Sequence, residues 1–358
     1  MEHTENKKVI IGMSGGVDSA VAAFLLFQAG YDVIGVTLRT WEADGGEEGR
    51  CCEIDDARKV AQKLGIPFHV FNCTEEFKKY VTEPFTDDYL HALTPNPCVV
   101  CNRYVKWEKM LYAADILKAG HVATGHYAGV IRLANGRYTV KRAVHEGKDQ
   151  SYMLYNLTQE QLSRTLMPLG SLNKDEVRDI ANRAGIPVAD KPDSQEICFV
   201  TEGHYTDFIM ENAASGAPGE GNFVDEEGRI LGRHKGIIHY TVGQRKGLGL
   251  PLGYPAYVSS INMETNEVVI GTEASVYRDS IVCDKINYMS ISELPIGECM
   301  HAFTKIRYHH KAASSYLKAL DDGRIMITFD EPVKAPSPGQ SAVFYDDEDN
   351  VIGGGRIL

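Results

Sequence analysis

Val9-Ile10-Ile11-Gly12-Met13-Ser14-Gly15-Gly16-Val17-Asp18-Ser19 decides how the first half of this chain is read. A short apolar run ends in glycines, and an apolar-periodic segment follows from Val17 to Ala29, closed by Gly30. The pattern predicts strand, glycine turn, helix. Glycines let the backbone turn sharply and approach a ligand, and a helix start presents unpaired N–H groups and a positive dipole end. The loop is therefore a candidate anion site for a phosphate or pyrophosphate, with Ser14 and Ser19 as hydroxyl donors and Asp18 as a candidate Mg2+ ligand. It carries neither the Gly-Lys-Ser/Thr of a P-loop nor the Gly-x-Gly-x-x-Gly of a dinucleotide fold.

A chain of 358 residues is long for one core, so two or three domains are expected, and ordinary hydrophobic and charged contents place it among globular proteins. No apolar run is long enough to span a bilayer, and the polar start runs directly into a strand, so no membrane partner and a cytoplasmic location are expected. A net charge of −12 argues against indiscriminate nucleic-acid binding. Two basic segments stand against that average, Arg229 to Lys246 and Lys305 to Lys311, and they keep a polyanionic partner in view.

Strand-like runs at Tyr31–Leu38, Phe68–Phe71 and His121–Thr124 alternate with helical segments, predicting a doubly wound parallel sheet. Ligands of such sheets bind outside the carboxyl ends of the strands, where the glycine loop, Leu38 and Gly125 should lie. Ala134-Asn135-Gly136 signals a hairpin. From about Gly203 the helical periodicity fades, and from about Ser280 short strands with turns at Asp321-Asp322-Gly323 and Pro338-Gly339 predict a small barrel. The expected divisions are 1–202 for the domain that carries the glycine loop, 203–279 for a central domain and 280–358 for a C-terminal β-barrel.

Among 8 cysteines, Cys98 and Cys101 lie in Asn96-Pro97-Cys98-Val99-Val100-Cys101-Asn102. The prolines predict an extended or turning loop ahead of a helix starting near Arg103, a position that would lower a thiol's pKa. Cys198 follows Asp193-Ser194-Gln195-Glu196-Ile197. Zinc wants four ligands, and there is no second Cys-x-x-Cys to pair with the first. Cys73, Cys283 and Cys299 read as buried and inert, and Cys51-Cys52 as structural.

Ser14-Gly15-Gly16-Val17-Asp18-Ser19 matches the pyrophosphate loop of ATP pyrophosphatases. With Thr94 to Asn102, Ala123 to Tyr127, Lys148 to Tyr152, Asp193 to Phe199, His239 to Gly249 and Pro338 to Val343, the chain closely resembles the bacterial tRNA-specific 2-thiouridylase (MnmA/TrmU) family over essentially its whole length. The resemblance implies ATP-dependent 2-thiolation of the wobble uridine in a tRNA anticodon. ATP adenylates the C2 oxygen, and sulfur carried as a cysteine persulfide displaces AMP. It implies ATP contacts at Gly12, Met13, Ser14, Gly15, Gly16, Val17, Asp18, Ser19, Leu38 and Gly125. Asn96, Pro97 and Cys98 would meet the target base, with Cys101 the nucleophile and Cys198 the persulfide carrier. His126, Lys148, Asp149, Gln150, Arg307, Tyr308 and Gln340 would touch the tRNA. A sulfur donor, either a cysteine desulfurase or a relay protein, is the second implied partner, and a Cys101–Cys198 disulfide is an expected resting form.

In that family the place of Cys98 is often aspartate, and a thiol cannot copy a carboxylate. Three cysteines leave an iron–sulfur cluster as an alternative to the persulfide, ranked second. Two other functions are weighed: an ATP-pyrophosphatase ligase acting on a small molecule, which would need neither Cys101 nor Cys198, and a non-catalytic RNA-binding protein, which would not need Asp18 and two thiols.

Overall fold

A computed structural model describes residues 7–41, 51–189, 191, 197–200, 203–213 and 216–358. Asp193–Glu196 of the Cys198 segment lie outside the described residues, as do the side chains of Cys51 and Cys52. By contact density the chain divides into two compact units: residues 1–80, 98–201 and 349–351 form the first, and 81–97, 202–348 and 352–358 the second.

The first unit is built on five parallel strands. Its strands are β1 (Lys8–Gly12), β2 (Asp32–Arg39), β3 (Phe68–Asn72), β4 (His121–Ala123), a hairpin of β5 (Ala128–Arg132) and β6 (Tyr138–Arg142), and β7 (Thr165–Leu166). The sheet runs β3-β2-β1-β4-β7, so the direction of progression reverses between β1 and β4. Val9, Ile10 and Ile11 are fully buried because both faces of a central parallel strand are covered. Helix α1 (Val17–Gln28) packs its small residues Ala20, Ala22 and Ala23 into that core, which lets its axis come close to the sheet, and Gly30 ends it at φ 78°. The hairpin expected at Asn135-Gly136 is present, with Arg132 opposite Tyr138 and Gly136 at φ 83°.

Within the second unit, a four-stranded sheet is formed by β8 (Gly221–Val224), β9 (Ile230–His234), β10 (Tyr257–Asn262) and β11 (Glu267–Gly271). The expected barrel is closed, in the order β12 (Tyr277–Tyr288), β15 (Ile325–Lys334), β14 (Ala313–Ala319), β13 (Cys299–Lys305), β16 (Ser341–Tyr345), β17 (Val351–Ile357). Closure removes open strand edges, and Ala302, Ile306, Ile327 and Phe344 fill the interior with no exposed surface. Gly353 is required where β17 crosses β12: a Cβ there would lie 2.4 Å from the Asn287 carbonyl oxygen.

Ahead of Cys98, the helices Thr74–Phe77 and Glu83–Leu90 are joined by a π turn at Lys78–Thr82, and Pro84 is tolerated in the first turn of the second helix. Several expectations are corrected. The prolines around Cys98 do not hold an extended loop. Pro97 opens a helix, Pro97–Cys101, which continues as a π-helix, Asn102–Trp107, and an α-helix, Glu108–Leu117. Cys73 and Cys283 are buried as expected, but Cys299 is exposed at the start of its barrel strand. The Arg229–Lys246 segment is less basic in space than in sequence, because Arg229 pairs with Asp225 and Glu227 and Arg233 with Glu220.

Gly125 lies just beyond β4, and a Cβ there would fall 2.6 Å from the Ser19 amide nitrogen and 2.8 Å from the Asp18 carbonyl carbon. Both are backbone atoms at the start of α1 and cannot rotate away. Gly125→Ala should lower stability by about 1–3 kcal/mol and displace the glycine loop, which denaturant unfolding and ATP titration would report together.

Candidate active site

Gly12 ends β1, Leu38 is near the end of β2, and Gly125 follows β4, so the three meet at the carboxyl ends of three adjacent strands. The β1/β4 reversal makes this the crevice where a parallel sheet of this kind binds its ligand. The loop between β1 and α1 is braced from below: the Met13 amide donates to Val36 O at 2.8 Å, and Thr37 Oγ1 donates to Met13 O at 2.7 Å. Above it, the Ser14 amide donates to Ser19 Oγ at 3.2 Å, and Ser19 Oγ donates to Gly16 O at 3.1 Å. Gly15 is left-handed at φ 73°, and a Cβ there would meet the Glu53 carbonyl oxygen at 2.4 Å. Ser14 remains exposed and Gly16 half-buried, an open cradle of the kind a phosphate needs.

Asp18 is engaged by two groups that the sequence reading did not single out. Lys174 Nζ donates to both carboxylate oxygens, at 2.7 and 2.9 Å, and Tyr127 Oη donates to Oδ1 at 2.6 Å. Lys174 is delivered by the first turn of the helix Lys174–Ala184, whose start is fixed by a capping box between Asn173 and Glu176. That Asn-x-x-Glu pattern was readable, but its distance from Asp18 along the chain hid the pairing. A second lysine, Lys191, reaches Gly15 O at 3.3 Å and Asp56 at 3.0 Å. Two ammonium groups therefore border the loop. Among the described residues no three His, Cys, Asp or Glu side chains converge to hold a metal. Asp18 alone could contribute to Mg2+, and the ion would be held mainly by phosphate oxygens and water.

The second half of the site is a cysteine cluster. Cys98 and Cys198 are exposed, Cys101 is only 5% exposed, and all three are free thiols. Burial pushes the Cys101 thiol up to about 12, against the pull of Lys106. Cys98 keeps contact with solvent yet is closely surrounded by protein, and its thiol is also raised by burial, again opposed by Lys106. The expectation of a helix-start thiolate is thus corrected: Cys101 ends one helical segment and runs into the next, and desolvation outweighs any dipole benefit.

Lys106 is the cation these thiols share. Burial works against its charge, but Cys101, Cys98 and Cys198 together raise its pKa. The π-helix explains its placement. An α-helix brings residues three and four apart onto one face, whereas i→i+5 bonding brings round the fifth residue, and Lys106 is fifth after Cys101. The helix is pinned by Trp107, fully buried, whose Nε1 donates to Thr165 Oγ1 at 2.7 Å, and by Asn102, whose Nδ2 donates to Met153 O at 3.0 Å. His126 packs its ring 5.7 Å from Trp107 and shares a 2.8 Å hydrogen bond with Thr124 Oγ1. Burial, then Lys106, pushes its pKa down to about 3, so it is neutral at physiological pH.

The remaining candidate residues separate by role. Asp149 is 3% exposed, and its carboxylate accepts from the Ala143 and Ser151 amides, both at 3.1 Å, and from Ser151 Oγ at 2.9 Å. Arg142 lies 3.3 Å from it. Gln150 Oε1 accepts from the Tyr127 amide at 2.9 Å. Both side chains brace backbone amides, and Gln150 steadies the tyrosine that binds Asp18. Lys148 is half-buried at the end of a short 3₁₀ turn. In the second unit, Gln340 Nε2 donates to Thr94 O at 3.0 Å and so ties down the segment that leads to Asn96 and Pro97. Arg307 binds the Ala335 carbonyl, and Lys305 lies 5.8 Å from the ring of Tyr308.

A parallel sheet with a glycine loop at its switch point and no P-loop lysine defines a nucleotide-dependent enzyme of the pyrophosphate-loop class. The comparisons narrow this. Residues 7–202 match the tRNA methyl transferase HUP domain, 206–272 the tRNA methyl transferase PRC-barrel domain, and 278–357 the aminomethyltransferase beta-barrel domain. The tRNA-specific 2-thiouridylase MnmA of Lachnoclostridium phytofermentans is 51% identical over 98% of this chain and 99% of its own. That of Clostridium perfringens is 49% identical over 98% of each, and that of Acetivibrio thermocellus 50% identical over 98% and 99%. The chain belongs to the tRNA-specific 2-thiouridylase family.

Two outcomes follow from the electrostatics. Lys106→Met should raise the pH at which Cys98 is alkylated by iodoacetamide, and Lys106→Arg should restore it, because the cation favours the thiolate. Peptide mapping across a pH series reads this directly. His126 is held neutral when folded, whereas the unfolded chain protonates below about 6.5. Its contribution is therefore intact above that pH and is lost progressively as pH falls toward about 3. His126→Gln should flatten the acid limb of a stability–pH curve over that window.

Proposed function

We propose that this chain is a tRNA-uridine 2-sulfurtransferase that consumes ATP to convert the wobble uridine to 2-thiouridine, releasing AMP and pyrophosphate. One observation carries the reading: a glycine loop flanked by Lys174 and Lys191 and a trio of thiols around Lys106 lie in the same compact unit. A ligase acting on a small molecule needs the first feature and has no use for the second.

The chemistry divides accordingly. The uridine C2 oxygen attacks the α-phosphorus of ATP and pyrophosphate leaves, its charge received by the loop amides, Lys174 and Lys191. Adenylation turns a poor leaving group into AMP. The terminal sulfur of a persulfide on Cys198 attacks C2, and the C2–O bond breaks. The Cys101 thiolate then attacks Cys198 Sγ, leaving the outer sulfur on the base and joining the two cysteines as a disulfide. Sulfane sulfur is reduced to the thiocarbonyl level as the two thiols are oxidised, so a thiol reductant and a fresh persulfide from the donor reset the cycle. Lys106 stabilises each sulfur anion in turn. Neutral His126 serves as a hydrogen-bonding wall, and Cys98 as a polar contact to the base in the place of an aspartate. The barrel's Arg307–Tyr308 segment is proposed as an RNA contact.

Cys101→Ser and Cys198→Ser should each abolish 2-thiouridine formation, and the double variant should be no worse, because the two thiols act as a unit. tRNA-dependent pyrophosphate release should persist in all three. Asp18→Ala should remove pyrophosphate release itself while leaving RNA affinity near wild type. Pyrophosphate release that responds to a small amine or acid and ignores tRNA would reject the assignment.

A further inference from the structure

The helical run that carries Cys101 also carries an exposed aromatic face that the sulfur chemistry does not use. Tyr104 follows Cys101 by three positions on the π-helix Asn102–Trp107 and is 40% exposed. Its ring stacks on that of Tyr80, at 5.6 Å between centroids and 18° between planes. Tyr80 itself lies on the other π turn, Lys78–Thr82. Each ring carries a cation: Lys79 Nζ lies 4.9 Å from the Tyr80 centroid, and the Arg103 guanidinium 5.1 Å from that of Tyr104. Arg103 is fixed there because its Nη1 donates to Asn156 O at 3.0 Å and to Asn156 Oδ1 at 2.7 Å.

Two stacked tyrosines with two flanking cations make a local positive, aromatic surface on a chain with net charge −12. A buried pair would only fill volume, but this one leaves ring surface in water beside fixed positive charge. Bases in a duplex are closed to such a surface, whereas an unpaired base can be splayed out and stacked while the neighbouring phosphates meet the cations. We propose that Tyr80 and Tyr104 form a stacking platform for an unpaired anticodon-loop base next to the reacting uridine. The inference rests on the tRNA thiolation reading and adds to it a base-binding surface in the catalytic unit. Stacking tolerates any base, so the platform grips the loop without selecting its sequence.

Fluorescence anisotropy with a labelled anticodon stem-loop RNA, and with a fully paired RNA of equal length, tests it. Tyr104→Leu keeps an apolar helix residue and removes the ring. It should weaken stem-loop binding roughly tenfold and leave duplex binding unchanged, while Tyr104→Phe should bind as wild type. Photocrosslinking of the wild-type protein to 5-iodouridine beside the target position needs no substitution and should mark peptides containing Tyr80 or Tyr104. Wild-type affinity in Tyr104→Leu, an equal loss on duplex RNA, or adducts confined to other peptides would overturn the platform. Wild-type protein that binds neither RNA would instead overturn the tRNA reading beneath it.

Discussion

The Asp18 carboxylate ties together three segments that are remote in sequence: the glycine loop, the turn after β4 through Tyr127, and the helix that begins at Lys174. A partly buried carboxylate is costly unless it is paired, and here both oxygens are engaged. The glycine loop keeps its shape because this clamp and the braces from Val36 and Thr37 hold it from opposite sides. Gln150 extends the same network by fixing Tyr127, and the buried Asp149 beside it orders the turn that presents Gln150. Any polyphosphate bound at the loop competes with Asp18 for the Lys174 ammonium.

The thiols are governed by a different balance. Desolvation holds Cys101 protonated in the resting protein, and a buried thiol resists adventitious oxidation. Among the described residues Lys106 is the cation that opposes the burial of Cys98 and Cys101. A π-helical turn makes that arrangement available at one place in the chain. The same turn leaves Tyr104 outward and Trp107 inward, so one helical irregularity follows Cys101 directly and carries Lys106, a buried anchor and an exposed ring. π turns carry a poorer packing of the helix backbone and concentrate where function requires them.

The sequence by itself determined the parallel sheet, the glycine loop, the Asn135-Gly136 hairpin and the turns of the closed barrel. These are local: apolar period, glycine at positive φ and turn residues act within a few positions of one another. It also determined the family, because several separated motifs must occur in one order. Tertiary structure alone decided the rest. Lys174 reaches Asp18, and Lys191 reaches Gly15, across long stretches of chain that no periodicity connects. Asp149 and Gln150 turn their carboxylate and amide oxygens to backbone donors distant in local pattern. The state of Cys101 could not be read from its neighbours, since a helix-start argument favours a thiolate and burial favours the thiol. Burial is a property of everything packed around a group, and only the folded chain specifies it.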